Sequence, residues 1–410
     1  MSRVVVIGAG PSGMMAAGTA ASFGANVTIL EKNEKPGRKL NITGKGRCNV
    51  TNNTDIQGLL KNVLSNPRFL NSAFYTFDSY LTMDFFETHG VELKTERGSR
   101  VFPVSEKASD ITNALVKYMN EMGVKTKYKT NVISLRHENN IFIVNTIDET
   151  YEVDAVIIAT GGLSYPGTGS TGDGYKFAKS FGHEITKTSP SLVALNVEES
   201  FVSELEGLSL KNVGCKTVIN DYNTIYEETG EMMFTATGVT GPIILKTSAT
   251  NKLDFTKNPK LYIDLKPALS FQQLDKRVLR DFDEHKNKNF ANSLDGLLPQ
   301  RMIEIIIRLS NISHDRKVNA ITKEERHNFV NLLKSLPFTL TGNAGYKEAV
   351  VTKGGINVSE VNPKNLMSKK VPGLFFAGEV LDVDALTGGY NLQIAFSTGF
   401  LAGESSAKYV

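Results

Sequence analysis

The residues with the clearest chemical purpose lie near the N-terminus: Gly8-Ala9-Gly10-Pro11-Ser12-Gly13, followed downstream by Glu31. Glycines at this spacing bring backbone N–H groups against the oxygens of a pyrophosphate. Gly8 permits the tight turn, Gly10 removes a side chain that would block the ligand, and Gly13 lets a helix pack closely on its strands. An acid at the end of the next strand suits the hydroxyls of an adenosine ribose, which need an acceptor. The pattern alone is weak, so its context decides. Val4-Val5-Val6-Ile7 reads as a buried strand entering the turn, a small-residue helix follows, and a second strand from Val27 to Leu30 ends at Glu31. Together these form a complete dinucleotide-binding βαβ unit. The same stretch makes a poor secretory leader, because Gly and Pro interrupt its apolar run. It makes a poor membrane span, which needs about 20 consecutive apolar residues.

The 410 residues suffice for two or three domains, and the apolar (40%) and charged (22%) fractions are those of a soluble globular protein. Lys and Arg number 46 against 43 Asp and Glu, a net charge of +3 that by itself implies no polyanionic partner. Cys48 and Cys215 cannot make a disulfide framework, and a reducing cytoplasm is the expected location. The six histidines show no metal-binding spacing and no nucleophile elbow with a triad is evident, which leaves redox chemistry.

Beyond Glu31 runs a cationic, Gly-rich loop from Lys32 to Asn49. Helical patterns cover 67–90 and 106–122. Short β runs lie at Asn131 to Leu135, Ile141 to Thr146 and Ala155 to Ala159, the last leading into Thr160-Gly161-Gly162 at a sheet's carboxyl edge, where α/β sheets bind ligands. Gly167-Thr168-Gly169-Ser170-Thr171-Gly172 repeats the G-x-G-x-x-G pattern but lacks its strand and acid, so it reads as a flexible loop over a bound cofactor. From Ser189 the pattern becomes β-rich, with runs at Ser191 to Val197, Gly214 to Ile219, Asn223 to Tyr226, Ile243 to Ser248 and Lys260 to Leu265. Three amphipathic helices fill 268–334, where 12 Lys and Arg face 9 Asp and Glu, a solvated surface rather than a nucleic-acid face. The chain then returns to α/β character: Gly373 to Glu379 is a buried strand, and Leu386 to Gln393 opens a final helix. A first sheet completed from the far end of the chain favours FAD over NAD, with Glu379 toward the ribityl or phosphate region and the helix start at Gly389 to Leu392 aimed at the flavin pyrimidine.

These blocks resemble a family of bacterial flavoproteins within the glutathione-reductase-like FAD superfamily, a family that includes aminoacetone oxidase and a bile-acid 3-dehydro-4-reductase. The resemblance spans essentially the whole chain. It rests on Gly8 to Gly13, Gly44-Lys45-Gly46-Arg47-Cys48-Asn49-Val50-Thr51-Asn52, Arg100-Val101-Phe102-Pro103, Ala159 to Gly162, Phe234-Thr235 with Gly238 and Gly241-Pro242, and Ala377-Gly378-Glu379 with Gly388-Gly389-Tyr390-Asn391. It implies an α/β fold with a discontinuous Rossmann FAD domain (1–188 and 346–410), interrupted by a barrel-like β domain (189–267 and 335–345) carrying a helical subdomain (268–334). It also implies non-covalent FAD. The expected cofactor contacts are Gly8, Ala9, Gly10, Pro11, Ser12 and Gly13; Glu31 and Lys32; Arg38, Lys39, Thr43 and Gly44; Val132 through its backbone; Thr160 and Gly161; Gly378 and Glu379; and Gly389, Tyr390, Asn391 and Leu392.

The substrate side is less legible, and catalytic residues are not assigned. Arg47, Asn49, Arg100, Tyr165 and Tyr390 flank the converging loops, and for each a structural role outweighs a catalytic one. Cys48 reads as a packing residue. The leading expectation is an FAD-dependent oxidoreductase of a small molecule, leaning to amine oxidation with oxygen as acceptor. Reduction of an enone with NAD(P)H, with Tyr165 or Tyr390 as proton donor, is the alternative. An RNA-modifying flavoprotein and a low-turnover redox sensor are further alternatives, nucleic acid being disfavoured by the small positive surplus. No membrane partner is expected, and oligomeric state is left open.

Overall fold

The computed structural model describes every residue except Asp221, Asn251 and Val410. The chain divides into two compact units, Met1–Ser191 with Gly345–Val410, and Leu192–Ala344.

The first unit is built on a five-stranded parallel sheet of β1 (Arg3–Ile7), β2 (Asn26–Leu30), β3 (Lys125–Lys127), β4 (Ala155–Ile158) and β5 (Leu374–Phe376), in the order β5-β4-β1-β2-β3. All four residues of β4 and all three of β5 are buried, as in a sheet covered on both faces. The last strand thus comes from far along the sequence to pair with β4 beside the glycine turn. Helix α1 (Pro11–Ser22) and the final helix α2 (Tyr390–Ala407) pack side by side. Gly399 meets Ser12 and Met15, and Gly403 meets Ala16 and Thr19, so the two helices run parallel and approach through small residues. Three further sheets belong to this unit. One joins Thr51–Asn52, Arg100–Pro103 and Leu93–Glu96, a second joins Val132–Glu138, Ile141–Thr146 and Thr150–Val153, and a third pairs Ser189–Ser191 with Val351–Lys353.

The second unit is a closed six-stranded barrel with, among the described residues, four α-helices. Its strands are Leu195–Val197, Ser209–Ile219, Asn223–Thr235, Gly238–Thr240, Lys260–Asp264 and Leu336–Asn343. Capping boxes at Ser270/Gln273 and Thr322/Glu325 start two of the helices, Phe271–Glu284 and Lys323–Lys334, and Leu274, Val278, Phe282, Phe329 and Val330 turn into the core.

Three sequence expectations need correction. Ile243 to Ser248 is not a strand but part of a helix, Pro242–Ala249, because Pro242 takes the first helical position, where its missing N–H costs nothing. The helical pattern at 67–90 is broken into Pro67–Leu70, Asn71–Thr76 and Ser79–Thr88, with Asp78 capping the last through the Leu81 amide. The strand beginning at Asn223 runs on to Thr235, since pairing along the barrel outweighs its polar residues. No described helix is long and apolar enough to cross a membrane.

Candidate dinucleotide site

The glycine turn does what its spacing predicts, and each glycine does it differently. Gly8 has φ 102°, and a Cβ there would lie 2.7 Å from the Ala159 carbonyl oxygen, so the turn presses β1 against the end of β4. A side chain at Gly13 would run into the Gly8 carbonyl. At Gly10 a Cβ would meet nothing within 4 Å: the space above the start of α1 is open. No side chain caps that helix, so its first amides face the opening unpaired.

Glu31 is buried and already engaged. Its carboxylate accepts from the Ala9 N–H (2.7 Å), the Asn33 N–H (2.8 Å) and the Asn33 amide nitrogen (2.6 Å). Oε2 accepts only one of these bonds, which leaves it a lone pair for a ribose hydroxyl. Lys32 turns to Asp173 (2.7 Å) and Thr171 (2.6 Å), and Asn33 donates to the Thr168 carbonyl (3.1 Å). The Gly167–Gly172 segment is therefore fastened beside Glu31 rather than left loose. Arg38 donates to the Asn33 Oδ1 (2.7 Å). Val132 opens its strand, buried, close to where Thr130 donates to the Glu31 carbonyl (2.9 Å).

At the other end, Lys39 pairs with Glu379 (2.7 Å), whose second oxygen accepts from the Thr352 amide (2.8 Å). The two residues expected on phosphate or ribityl oxygens thus hold each other across the sheet edge. Gly378 (φ 78°) lies against the Ser12 side chain. Thr160 Oγ1 is buried with no hydrogen-bond partner, and Gly161 (φ 71°) follows it.

The segments Gly44 to Asn52 and Gly388 to Asn391 interlock. Oriented to satisfy both its ends, the Asn49 amide donates to the Val101 and Thr51 carbonyls (3.1 and 3.0 Å) and accepts from the Gly389 N–H (2.9 Å). Asn52 donates to the Gly388 carbonyl (3.0 Å), and Thr51 and Gln393 share a hydrogen bond of 2.5 Å. Gly389 has φ 96° and lies so close to the Thr51 backbone that any side chain would collide with it. Helix α2 starts there, uncapped by any side chain, with the Tyr390, Asn391 and Leu392 amides foremost. The Asn391 side chain is spent on the Ala385 N–H (3.0 Å) and carbonyl (2.8 Å), so only its backbone is free for a cofactor. Thr43 bonds the Leu40 carbonyl (2.6 Å), and Gly44, Lys45 and Cys48 all adopt left-handed backbone where the chain turns back toward Asn49.

Arg47 is tied to Glu96 (2.5 Å) and Glu106 and lies over the Phe102 ring (4.2 Å). With Asn49 holding a helix start, both match the structural role expected of them. Cys48 is buried, its thiol pushed up to about 12 by burial, which makes it unreactive. The sequence missed the interlock and the Lys39–Glu379 pair. Only the paired glycines before α2 hinted at a close backbone approach.

An FAD fits these residues. The opening over Gly10 admits a pyrophosphate against the first amides of α1. Because Gly399 of α2 packs on Ser12 of α1, the start of α2 stands about 12 Å beyond that of α1, at 1.5 Å per residue. Two positive helix ends at that stagger suit an extended dinucleotide with negative charge at two points.

Fold and site define the class: a FAD-dependent oxidoreductase. Residues 2–405 match the HI0933-like protein Rossmann domain, and the chain belongs to that family. It is 31% identical over 412 residues, covering 100% of both chains, to a 3-dehydro-bile acid delta(4,6)-reductase of Clostridium scindens. It is 30% identical over 397 residues, 97% of this chain and 96% of the other, to a ribosomal RNA dihydrouridine synthase of Escherichia coli. Among solved structures, a 3-ketosteroid-delta4-(5alpha)-dehydrogenase from Rhodococcus jostii shares the fold at 16% identity and TM-score 0.54, over 99% of this chain and 97% of that one.

Proposed function

We propose that this protein is a reductase that saturates a carbon–carbon double bond conjugated to a carbonyl, using FAD re-reduced by NAD(P)H. The observation that carries the reading is the start of α2. Held by Asn49 and left uncapped, it offers positive charge that would favour a reduced, negatively charged flavin ring set against it, the state a reductase must hold. The two full-length relatives support it, because both names denote adding hydrogen across such a bond, in a 3-oxo steroid and in uracil. When bound, FAD would supply the two-electron chemistry, a hydride for the carbon β to the carbonyl drawn from NAD(P)H, while this chain would supply the proton for the α carbon.

Tyr390 is the proton donor assigned by this reading. Burial pushes its phenol above the ordinary value of 10.0, so it stays protonated at neutral pH. The amine-oxidase expectation is the weaker one, since neither full-length relative named above carries that chemistry.

The test is anaerobic spectroscopy of the FAD-loaded protein. NADH or NADPH should bleach the flavin band, and a Δ4-3-ketosteroid or a uridine-containing RNA should restore it. Bleaching by aminoacetone but by neither nicotinamide would overturn the proposal. Tyr390→Phe should slow re-oxidation by about 100-fold or more while leaving bleaching by nicotinamide intact.

A further inference from the structure

Tertiary folding collects cations that the sequence holds apart. Residues 35–47 and 94–107 contain nine Lys and Arg against two Glu. The two segments meet: Asn41 accepts from Thr112 (2.7 Å) near the start of the helix Ala108–Glu121, Gly37 touches the same Thr112 side chain, and Arg47 and Arg100 lie 4.2 and 5.7 Å from the Phe102 ring centre. Both glutamates are consumed internally, Glu96 and Glu106 pairing with Arg47, and Glu106 also with Lys94. Among the described residues, Lys45, Arg97, Arg100 and Lys107 make no ion pair, and all four are exposed. Two exposed apolar side chains, Ile42 (47%) and Val104 (43%), belong to the same two segments. The second unit, by contrast, carries equal numbers of basic and acidic residues, 19 of each over 192–344.

We propose that this face of the first unit, Lys45, Arg97, Arg100 and Lys107 around the Phe102 ledge, docks the phosphate backbone of a folded RNA. The inference rests on the uracil side of the reading above. Unpaired, exposed cations with a few apolar neighbours are what a sugar–phosphate chain requires, and they cost nothing in desolvated carboxylates. The position gives the face a purpose. The loop bearing Lys45 continues into Asn49, which holds the start of α2, so a strand gripped here lies next to the flavin end of the site. Arg47 serves as a support: fixed by two glutamates and the ring, it spaces the free cations rather than binding phosphate itself.

The test compares the FAD-loaded protein with a Lys45→Ala/Arg97→Ala/Lys107→Ala variant, with a Lys276→Ala/Arg280→Ala/Lys286→Ala variant of the second unit as control. Binding to a uridine-containing ribosomal RNA hairpin is titrated at several salt concentrations, alongside re-oxidation of the reduced protein by a Δ4-3-ketosteroid. The first variant should lose at least about 10-fold in RNA affinity, and its log K against log salt slope should flatten by about 2, three lost contacts at roughly 0.7 each. The control should bind as wild type, and ketosteroid re-oxidation should be unchanged in both. Equal binding by all three proteins overturns the docking face, as does retention on phosphatidylserine vesicles with none on RNA. If wild type ignores RNA while the ketosteroid still re-oxidises it, the docking face fails and the reductase reading stands. If RNA binding depends on the face while neither RNA nor ketosteroid re-oxidises the flavin, the reductase reading fails and the docking face stands.

Discussion

Gly8 and Gly10 stand two residues apart in one motif, yet substitutions at them should fail for opposite reasons. A methyl at Gly8 needs a left-handed backbone and meets the Ala159 carbonyl, so Gly8→Ala should cost about 2 kcal/mol of stability or more, visible as a lower urea midpoint without cofactor. A side chain at Gly10 meets only open space and ordinary backbone (φ −78°). Gly10→Val should therefore unfold within about 0.5 kcal/mol of wild type while losing FAD on gel filtration. Equal destabilisation of both would mean that the Gly10 opening is not the ligand's. The motif made both glycines legible in the sequence, but only the packing shows that the fold needs Gly8 and leaves the space at Gly10 open.

At the scale of elements, the site depends on how α2 and β5 are held. Asn49→Ala removes the acceptor of the Gly389 amide and the donor to two carbonyls, and should cost about 1–3 kcal/mol together with weaker FAD retention. Asn49→Asp should restore the acceptor but not the donors, and recover part of the loss. Behind β5, His183 is buried between Glu360 (3.1 Å) and Ser368 (2.8 Å), with its ring edge-on to Phe376 at 5.0 Å. Burial holds its imidazole below the ordinary 6.5, so the unfolded chain takes up the proton first. That contribution to stability is complete above pH 6.5 and is lost as pH falls below it. Thermal scans from about pH 8 to about pH 5.5 should show a decline that His183→Gln flattens. A decline of equal steepness in that variant would place the acid sensitivity elsewhere. Neither device was readable along the chain, because the partners are brought together by pairing of strands distant in sequence.

At the scale of the whole molecule, each unit has its own hydrophobic core, and the residues assigned to the cofactor lie in the first unit alone. Saturating FAD should therefore stabilise the first unit, by about 2.7 kcal/mol at a hundred times its dissociation constant, and leave a separate transition of the second unit where it was. Calorimetry with and without FAD checks this, and Phe329→Ala, which empties a fully buried position of the second unit, should move only the other transition, by about 3–5 kcal/mol. The sequence by itself determined the βαβ unit, the acid after β2, the return of the chain for β5 and the helix behind Gly388-Gly389. Each is a local pattern whose period and end signals are set by a few neighbouring residues. Only the tertiary structure decided what those residues do: that Glu379 is tied to Lys39, that Asn49 holds the start of α2, that Ile243 to Ser248 is helical, and that Arg47 and Arg100 from two separate segments meet at the Phe102 ring. Those outcomes depend on which distant backbones come within hydrogen-bonding distance and which charges find partners, and neither is fixed by spacing along the chain.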